Sequence, residues 1–411
     1  MKSGHLSEYF IHVAWKQLSA VDADAHRSHQ HEFGGVGKLR SILGDDDRLE
    51  IPTTFIYLND DDPEPLKEEL WLSWYDTRRR QEHRGPEYRL YFPDNLVTDC
   101  ATEGDLLILG VRPGGTLMAI IAEGGSTIER QLLWLFGAAD LLHPGYSVKA
   151  EIETDQTRLE FASRYILEQL GVEVEQDAPN FLDEMLGRFG GGFPGTRVFS
   201  AYARETLGDV DPAIDPDTAI LVMMEREEIL FRTLERQLIG EQLRGGFAEV
   251  EDFLKFSLSV QNRRKSRAGS ALENHLEHIF ARLGLHVDRA PVTEGRARPD
   301  FLFPGTNAYH DPGFPADLLT MLGAKSTCKD RWRQVLVEAD RIDDKHLLTL
   351  EPSISTAQTT EMRQRRLQLV VPRNLHPTFS EDQRAWLMPL DVLVSLVRDR
   401  QAAAAQRGQE G

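Results

Sequence analysis

Four residues in the C-terminal half of this chain could do hydrolytic chemistry together. Lys325 ends an apolar run in GAKSTCKDRWRQVLVEAD, which also carries Glu338. Asp300 opens the strand-like run of RPDFLF, and Glu273 borders the helical stripe Leu272, Leu276, Ile279 and Phe280 in ALENHLEHIF. Two adjacent strands would bring Asp300 and Lys325 side by side. The spacing predicts a helix over KDRWRQVLVEADRI that carries Glu338, facing the strands if Val335 and Leu336 mark its packed side. Two or three carboxylates are hard oxygen ligands that suit Mg²⁺, an ion that keeps several waters and bridges to phosphate oxygens. Such an ion polarises phosphorus and acidifies a bound water. A lysine beside it would orient or deprotonate that water, or neutralise developing negative charge. Each fragment also has a plainer reading. Glu273 suits a solvated helix position, and Asp300 a turn after Pro299. His275 and His278 suit the surface better than a metal pair, because no third ligand is near.

The elements that must position these residues fall into two kinds. Residues 1–145 are β-rich: IPTTFIYLND, ELWLSWYDT, EYRLYF, DLLILGV and TLMAIIAEG are short apolar or alternating runs separated by polar, Gly or Pro clusters. STIERQLLWLFGAADLL follows as a helix capped by Ser126 or Thr127. This is the pattern of a small barrel or sandwich. Residues 146–195 read as a linker, acidic at first and then broken by RFGGGFPGTR, a hinge or loop rather than a phosphate cradle, since no Lys-Ser/Thr follows it. Residues 196–400 begin with long amphipathic helices, TAILVMMEREEILFRTLERQLIGEQL the first of them. They then alternate strand and helix, as expected of an α/β domain with a central mixed sheet flanked by helices. Residues 401–411 read as a polar tail.

Composition limits the partners. The formal net charge is −19, which lowers the expectation of a nucleic-acid partner without removing it, because a basic groove can sit on an acidic body. Cys100 and Cys328 are the two cysteines, too few for a disulfide framework or a cysteine zinc finger, and in keeping with a reducing compartment. No apolar run reaches the roughly 18 residues of a membrane span, and MKSGHLSEYF lacks the apolar core of a signal peptide. The expected location is cytoplasmic, with no membrane partner.

A resemblance sharpens this reading. SVQNRRKSRAGSALENHLEHIF, TEGRARPDFLFPGTNAYHD, KSTCKDRWRQVLVEADRI and RLQLVVP together resemble the catalytic domain of EcoRII-type restriction endonucleases, members of the PD-(D/E)XK nuclease superfamily. The likeness runs from about residue 190 to 395. It implies a restriction-endonuclease-like fold, Mg²⁺ as cofactor and Glu273, Asp300, Lys325 and Glu338 as the catalytic set, with Asp300, Glu338 and Glu273 as metal ligands. In the wider superfamily an acid often stands two residues before the lysine. Here Gly323 occupies that position, and the resemblance implies that Glu338 takes over the missing acid's role. It also implies that Lys329, Asp330 and Arg331 read C·G pairs, giving a site with CC/GG flanks. Arg263, Arg264, Lys265 and Arg267 of NRRKSRAG are expected on a loop that tracks the phosphate backbone, and Tyr309, which matches a further position of the family, is expected among the DNA-recognition residues. Without the resemblance, Lys329–Arg331 are simply a charged helix start.

The segment KQLSAVDADAHRSHQ resembles the start of the N-terminal domain of the same family. That implies a B3-like barrel binding a second, effector copy of the DNA site. Its candidate contacts are His29 and, in DTRRRQEHRGPEYR, Arg78, Arg84, Glu87 and Arg89. The whole reading is a type II restriction endonuclease of a restriction–modification system. It acts on double-stranded DNA, works as a homodimer because a symmetric site needs two active sites, and has a cognate DNA methyltransferase as a genetic partner. The alternatives are a structure-specific repair or junction nuclease of the same fold and a catalytically silent DNA-binding protein.

Overall fold

The computed structural model describes the chain apart from residues 1–5, 7–8, 24–30, 61, 63–64, 81–82, 139–145, 150–165, 168–169, 173–177, 209, 329–330, 353 and 411. The chain divides into two units, Met1–Glu175 and Gln176–Gly411.

In the first unit, eight strands form one sheet: β1 (His12–Gln17), β2 (Glu32–Phe33), β3 (Arg48–Leu58), β4 (Leu66–Asp76), β5 (Tyr88–Tyr91), β6 (Leu106–Val111), β7 (Leu117–Ala122) and β8 (Ser147–Lys149). Their order is β2-β5-β4-β3-β7-β6-β1-β8, antiparallel except where β3 meets β7. The central strands LLILGV and LMAIIA are apolar throughout because both faces of the sheet are covered. Leu106, Ile108, Met118 and Ile120 point into a core closed by helix α1 (Thr127–Phe136). Leu107, Leu109, Ala119 and Ile121 point into another with Phe55, Trp74 and Phe92. Ser126 caps α1 by accepting a hydrogen bond from the Glu129 N–H. The turn Val36–Leu39 touches both β5, near one edge, and β8, at the other, so the sheet curls toward itself.

The linker expected over 146–195 is not a separate segment. Ser147–Lys149 pair with β1, and Ile166, Leu167, Leu170 and Val172 fill the core beneath α1. Helices α2 (Leu182–Phe189) and α3 (Thr196–Glu205) belong to the second unit, where their apolar faces meet α4 (Pro216–Gly245) around Met185, Phe199, Tyr202, Leu230 and Phe231. The break at RFGGGFPG is real: α2 stops at Gly190, whose φ of 68° suits a residue without a side chain.

The second unit joins these helices and α5 (Val250–Arg282) to a five-stranded mixed sheet. Its strands are β9 (Asp288–Arg289), β10 (Phe301–Phe303), β11 (Thr320–Lys325), β12 (Lys345–Thr349) and β13 (Leu367–Val370). They run in the order β13-β12-β11-β10-β9, with β10 antiparallel to β9 and β11, and β12 parallel to β11 and β13. Between β11 and β12 lies a single helical turn, α6 (Trp332–Val335); α7 (Thr356–Gln364) connects β12 to β13. The polar tail expected at 401–411 is instead helical to Glu410, as the end of α8 (Leu390–Glu410). Its Ala-rich sequence favours that continuation. No helix among the described residues is long and apolar enough to cross a membrane.

Candidate active site

Strand register brings Asp300 and Lys325 together. Phe301 pairs with Leu322 in the antiparallel β10–β11 ladder, so the residue before β10 meets the end of β11. Asp300 Oδ2 accepts a hydrogen bond from the Ala324 N–H at 2.6 Å and another from Lys325 Nζ at 2.7 Å. The two side chains are only 14% and 19% exposed. The backbone donor fixes the carboxylate, and the carboxylate fixes the ammonium, at the mouth of the sheet.

Glu338 reaches this site by a route the sequence did not suggest. The long helix expected over KDRWRQVLVEADRI stops after one turn, and Glu338 lies in the bend beyond it. Close packing sets where that turn sits. A Cβ on Gly323 would lie 2.8 Å from Val335 Cγ2, so Val335 occupies the space that a side chain at 323 would need. The acid whose absence marks the sequence would stand at this position, and here the position must stay bare. Gly323→Ala should therefore lower stability by roughly 1–3 kcal/mol through overpacking, read as a drop in melting temperature. It should reduce catalysis as well, by displacing the bend that carries Glu338.

The carboxyl of Glu338 is pushed up to about 7, first by burial and then by the neighbouring charge of Asp300, against the opposing pull of Lys325 and Lys345. Its Oε2 is buried without a hydrogen-bond partner. A carboxylate oxygen left like this, beside a second carboxylate, is the setting a divalent cation would satisfy. Glu273 is differently engaged: Arg289 Nη2 lies 2.7 Å from its Oε2, and Arg289 also binds Glu277 and Asn274. Among the described residues, no group of three or more His, Cys, Asp or Glu side chains is gathered closely enough to hold a metal by itself.

The other expected residues divide. Lys329, Asp330 and His29 lie outside the described residues. Arg331 is exposed, just before α6. The cations of NRRKSRAG are not on a loop but within the 33-residue α5, because α4 presents an acidic row to them. Arg264 pairs with Glu235 at 2.8 Å. Arg267 is 6% exposed, over the ring of Phe231 and paired with Glu227 and Glu228, so its guanidinium supports helix packing rather than facing a phosphate. Arg263 lies over the ring of Phe193, and Lys265 is exposed. Tyr309 is fully buried, its hydroxyl donating to Glu294 Oε2 at 2.5 Å, a bracing position and not a DNA-facing one. His275, expected at the surface, is fully buried. Arg204 Nη1 lies 3.0 Å from its Nδ1, and Glu227 Oε2 is 2.9 Å from its Nε2. A guanidinium only donates, so Nδ1 accepts and Nε2 carries the hydrogen. His278 is half-buried.

In the first unit, Arg78 and Arg89 both bind Glu87, and Arg89 also reaches Glu32 at 2.8 Å. These ion pairs tie the start and finish of the basic loop together, while Arg84 is exposed. The sequence reading missed Lys345 and Glu351 altogether. Glu351, 5% exposed, accepts the Cys328 N–H at 2.5 Å and so anchors the segment that follows Lys325. The available signal was charge at the two ends of the apolar run HLLTL, the same signal that marked Lys325.

Comparison with known proteins gives the family. A family model described as the EcoRII C-terminal region matches residues 231–394, which include all four candidate catalytic residues. Over 393 residues the chain is 46% identical to the type II restriction enzyme EcoRII of Escherichia coli, covering 94% of this chain and 93% of that protein. The chain belongs to the family of type II restriction enzymes typified by EcoRII. Solved structures with some likeness include metal-depleted Ecl18kI with uncleaved, modified DNA, at a TM-score of 0.45 and 17% identity, covering 55% of this chain and 85% of that one. The PspGI–substrate DNA complex has a TM-score of 0.38 and 14% identity, covering 57% and 95%.

Proposed function

We propose that the protein is a type II restriction endonuclease that cuts both strands of DNA at a specific sequence, with Mg²⁺ as its cofactor. The observation that carries this reading is the Lys325–Asp300 contact of 2.7 Å at adjoining strand ends, in a chain nearly half identical to EcoRII along almost its whole length. Asp300 and Glu338 are the residues that would hold the ion; Glu273 would join them only if its pair with Arg289 opened. When bound, Mg²⁺ stabilises charge on the phosphate and makes a coordinated water more acidic. Lys325, oriented by Asp300, directs its ammonium at the scissile phosphate, where it orients the attacking water and offsets developing negative charge.

Lys329, Asp330 and Arg331 would read a C·G-rich flank of the site. Two chains related by a two-fold axis would cut the two strands. The N-terminal unit, a curled sheet with an exposed basic loop, would take a second, effector copy of the site in the manner of a B3-like domain, with His29 and Arg84 as contacts. A cytoplasmic location and a cognate methyltransferase that protects the host's own DNA accompany this reading.

The test is digestion of a sequenced plasmid with Mg²⁺, with the fragment ends mapped. Discrete bands sharing one terminal sequence are expected. A smear, or nicks confined to branched DNA, would favour a repair or junction nuclease. Salt-dependent binding without hydrolysis would favour a silent DNA-binding protein.

A further inference from the structure

We infer that Lys345 is a positioning residue for Glu338: its buried ammonium grips the backbone of the bend that follows Glu338 and so holds that carboxylate at the Asp300–Lys325 site. The inference rests on the reading of Glu338 as part of the active site.

Lys345 begins β12, next to the strand that ends in Lys325, and is 7% exposed. A buried lysine normally faces a carboxylate, yet the hydrogen bonds of this one go to main-chain carbonyls, Ala339 O at 3.2 Å and Ile342 O at 2.7 Å. These carbonyls flank a bend with an unusual backbone. Ala339 has φ of 53°, a left-handed conformation that alanine seldom adopts and that the surroundings must enforce. Glu338 is the residue immediately before it.

A second cation, Arg341 within the bend, ties it to neighbouring backbone. The Arg341 guanidinium donates to the carbonyls of Tyr309, Asp311 and Phe314, the last two at 2.9 and 2.8 Å, and the Arg341 N–H reaches the Tyr309 hydroxyl at 3.3 Å. Ahead of Glu338, Val335 is seated on Gly323. Glu338 is thus suspended between a packing contact on one side and a cation-clamped bend on the other. In the strand position of the wider superfamily, an acid is placed by the sheet itself. An acid supplied from a bend needs separate anchoring, and Lys345 reaches that bend from the neighbouring strand.

The full-length chain tests this, with Lys345→Met, Lys345→Arg and Glu338→Ala beside the unaltered protein. Three quantities are measured: the single-turnover rate on a duplex carrying the mapped site, the affinity for that duplex without metal, and the melting temperature. Displacing a catalytic group by about 1 Å costs on the order of 10²-fold in rate. Lys345→Met is therefore expected to lose roughly 30- to 100-fold in rate while its DNA affinity stays within about threefold, and Lys345→Arg to recover most of the rate. If Lys345→Met does not fold, Lys345→Gln replaces it, with an expected loss of about tenfold, since its amide can still serve one carbonyl. A folded Met or Gln variant that cleaves like the unaltered protein overturns the inference, as does one whose rate and affinity fall together. Full activity in Glu338→Ala would instead overturn the underlying assignment of Glu338, so the two failures are distinct.

Discussion

Lys325→Ala should lower metal-dependent DNA cleavage by at least about 10³-fold, with little change in DNA binding. The ammonium is held at 2.7 Å from Asp300 Oδ2, and that oxygen is itself fixed by the Ala324 N–H. The charge is therefore in place before substrate arrives and costs no reorganisation during reaction, which is the condition under which electrostatic stabilisation is largest. Lys325→Arg should not rescue it, because a planar fork does not reproduce a compact point charge in a space shaped by Asp300 and the strand end. Asp300→Asn should be comparably damaging: the amide keeps the shape and loses both the anion and its hold on the ammonium. Binding falls much less because phosphate affinity is spread over many cations. Single-turnover cleavage and gel-shift titrations at fixed salt separate the two quantities. Retained cleavage in Lys325→Ala would remove the central element of the proposed function.

Glu338→Gln should raise stability at alkaline pH while reducing cleavage by about 10²–10³-fold. The carboxyl is raised from its ordinary 4.5 to about 7, chiefly by burial. Between those two values the folded chain retains a proton that the unfolded chain has released, so stability falls as pH rises through this window and the loss is complete above it. A neutral glutamine escapes that loss. Its melting temperature should therefore exceed that of the unaltered protein at pH 8, by on the order of 1 kcal/mol in stability after allowance for solvent screening. Near pH 4.5 the two proteins should melt alike. Thermal melts at both values, without divalent metal, provide the check. A glutamine variant less stable at pH 8 would mean that a partner in the protein already satisfies the charged carboxylate. Adding Mg²⁺ should narrow the difference, because a cation that binds only the folded carboxylate form restores stability by mass action.

How much of this was legible in the sequence depended on how local the cause was. Asp300 and Lys325 could be paired because each stands at the end of a short apolar strand, and adjacent strands leave few registers that bury both runs. The start of α1 followed from Ser126, which caps it, since a cap acts within one turn. The basic run NRRKSRAG was misjudged as a loop. Its cations look like a solvated surface until the acidic row of EREEILFRTLERQ is folded against it, and then Arg264 and Arg267 become part of the contact between two helices. His275 and Tyr309 changed from surface and DNA-facing expectations to buried ones for the same reason: their partners, Glu227 and Glu294, come from other elements.

By itself the sequence determined the family, the two kinds of domain, the strand ends that carry Asp300 and Lys325, and the absence of an acid at position 323. Those are properties of residue type and short-range order. Only the tertiary structure decided that the segment after Lys325 is one turn and a bend instead of a long helix. It also decided that Val335 fills the space above Gly323, that Lys345 holds the bend by its carbonyls, and that Arg341 ties the bend to the carbonyls of Tyr309, Asp311 and Phe314. Backbone carbonyls look alike in every sequence, so which of them a distant cation will find is settled only when the strands and turns that bring the two together have packed.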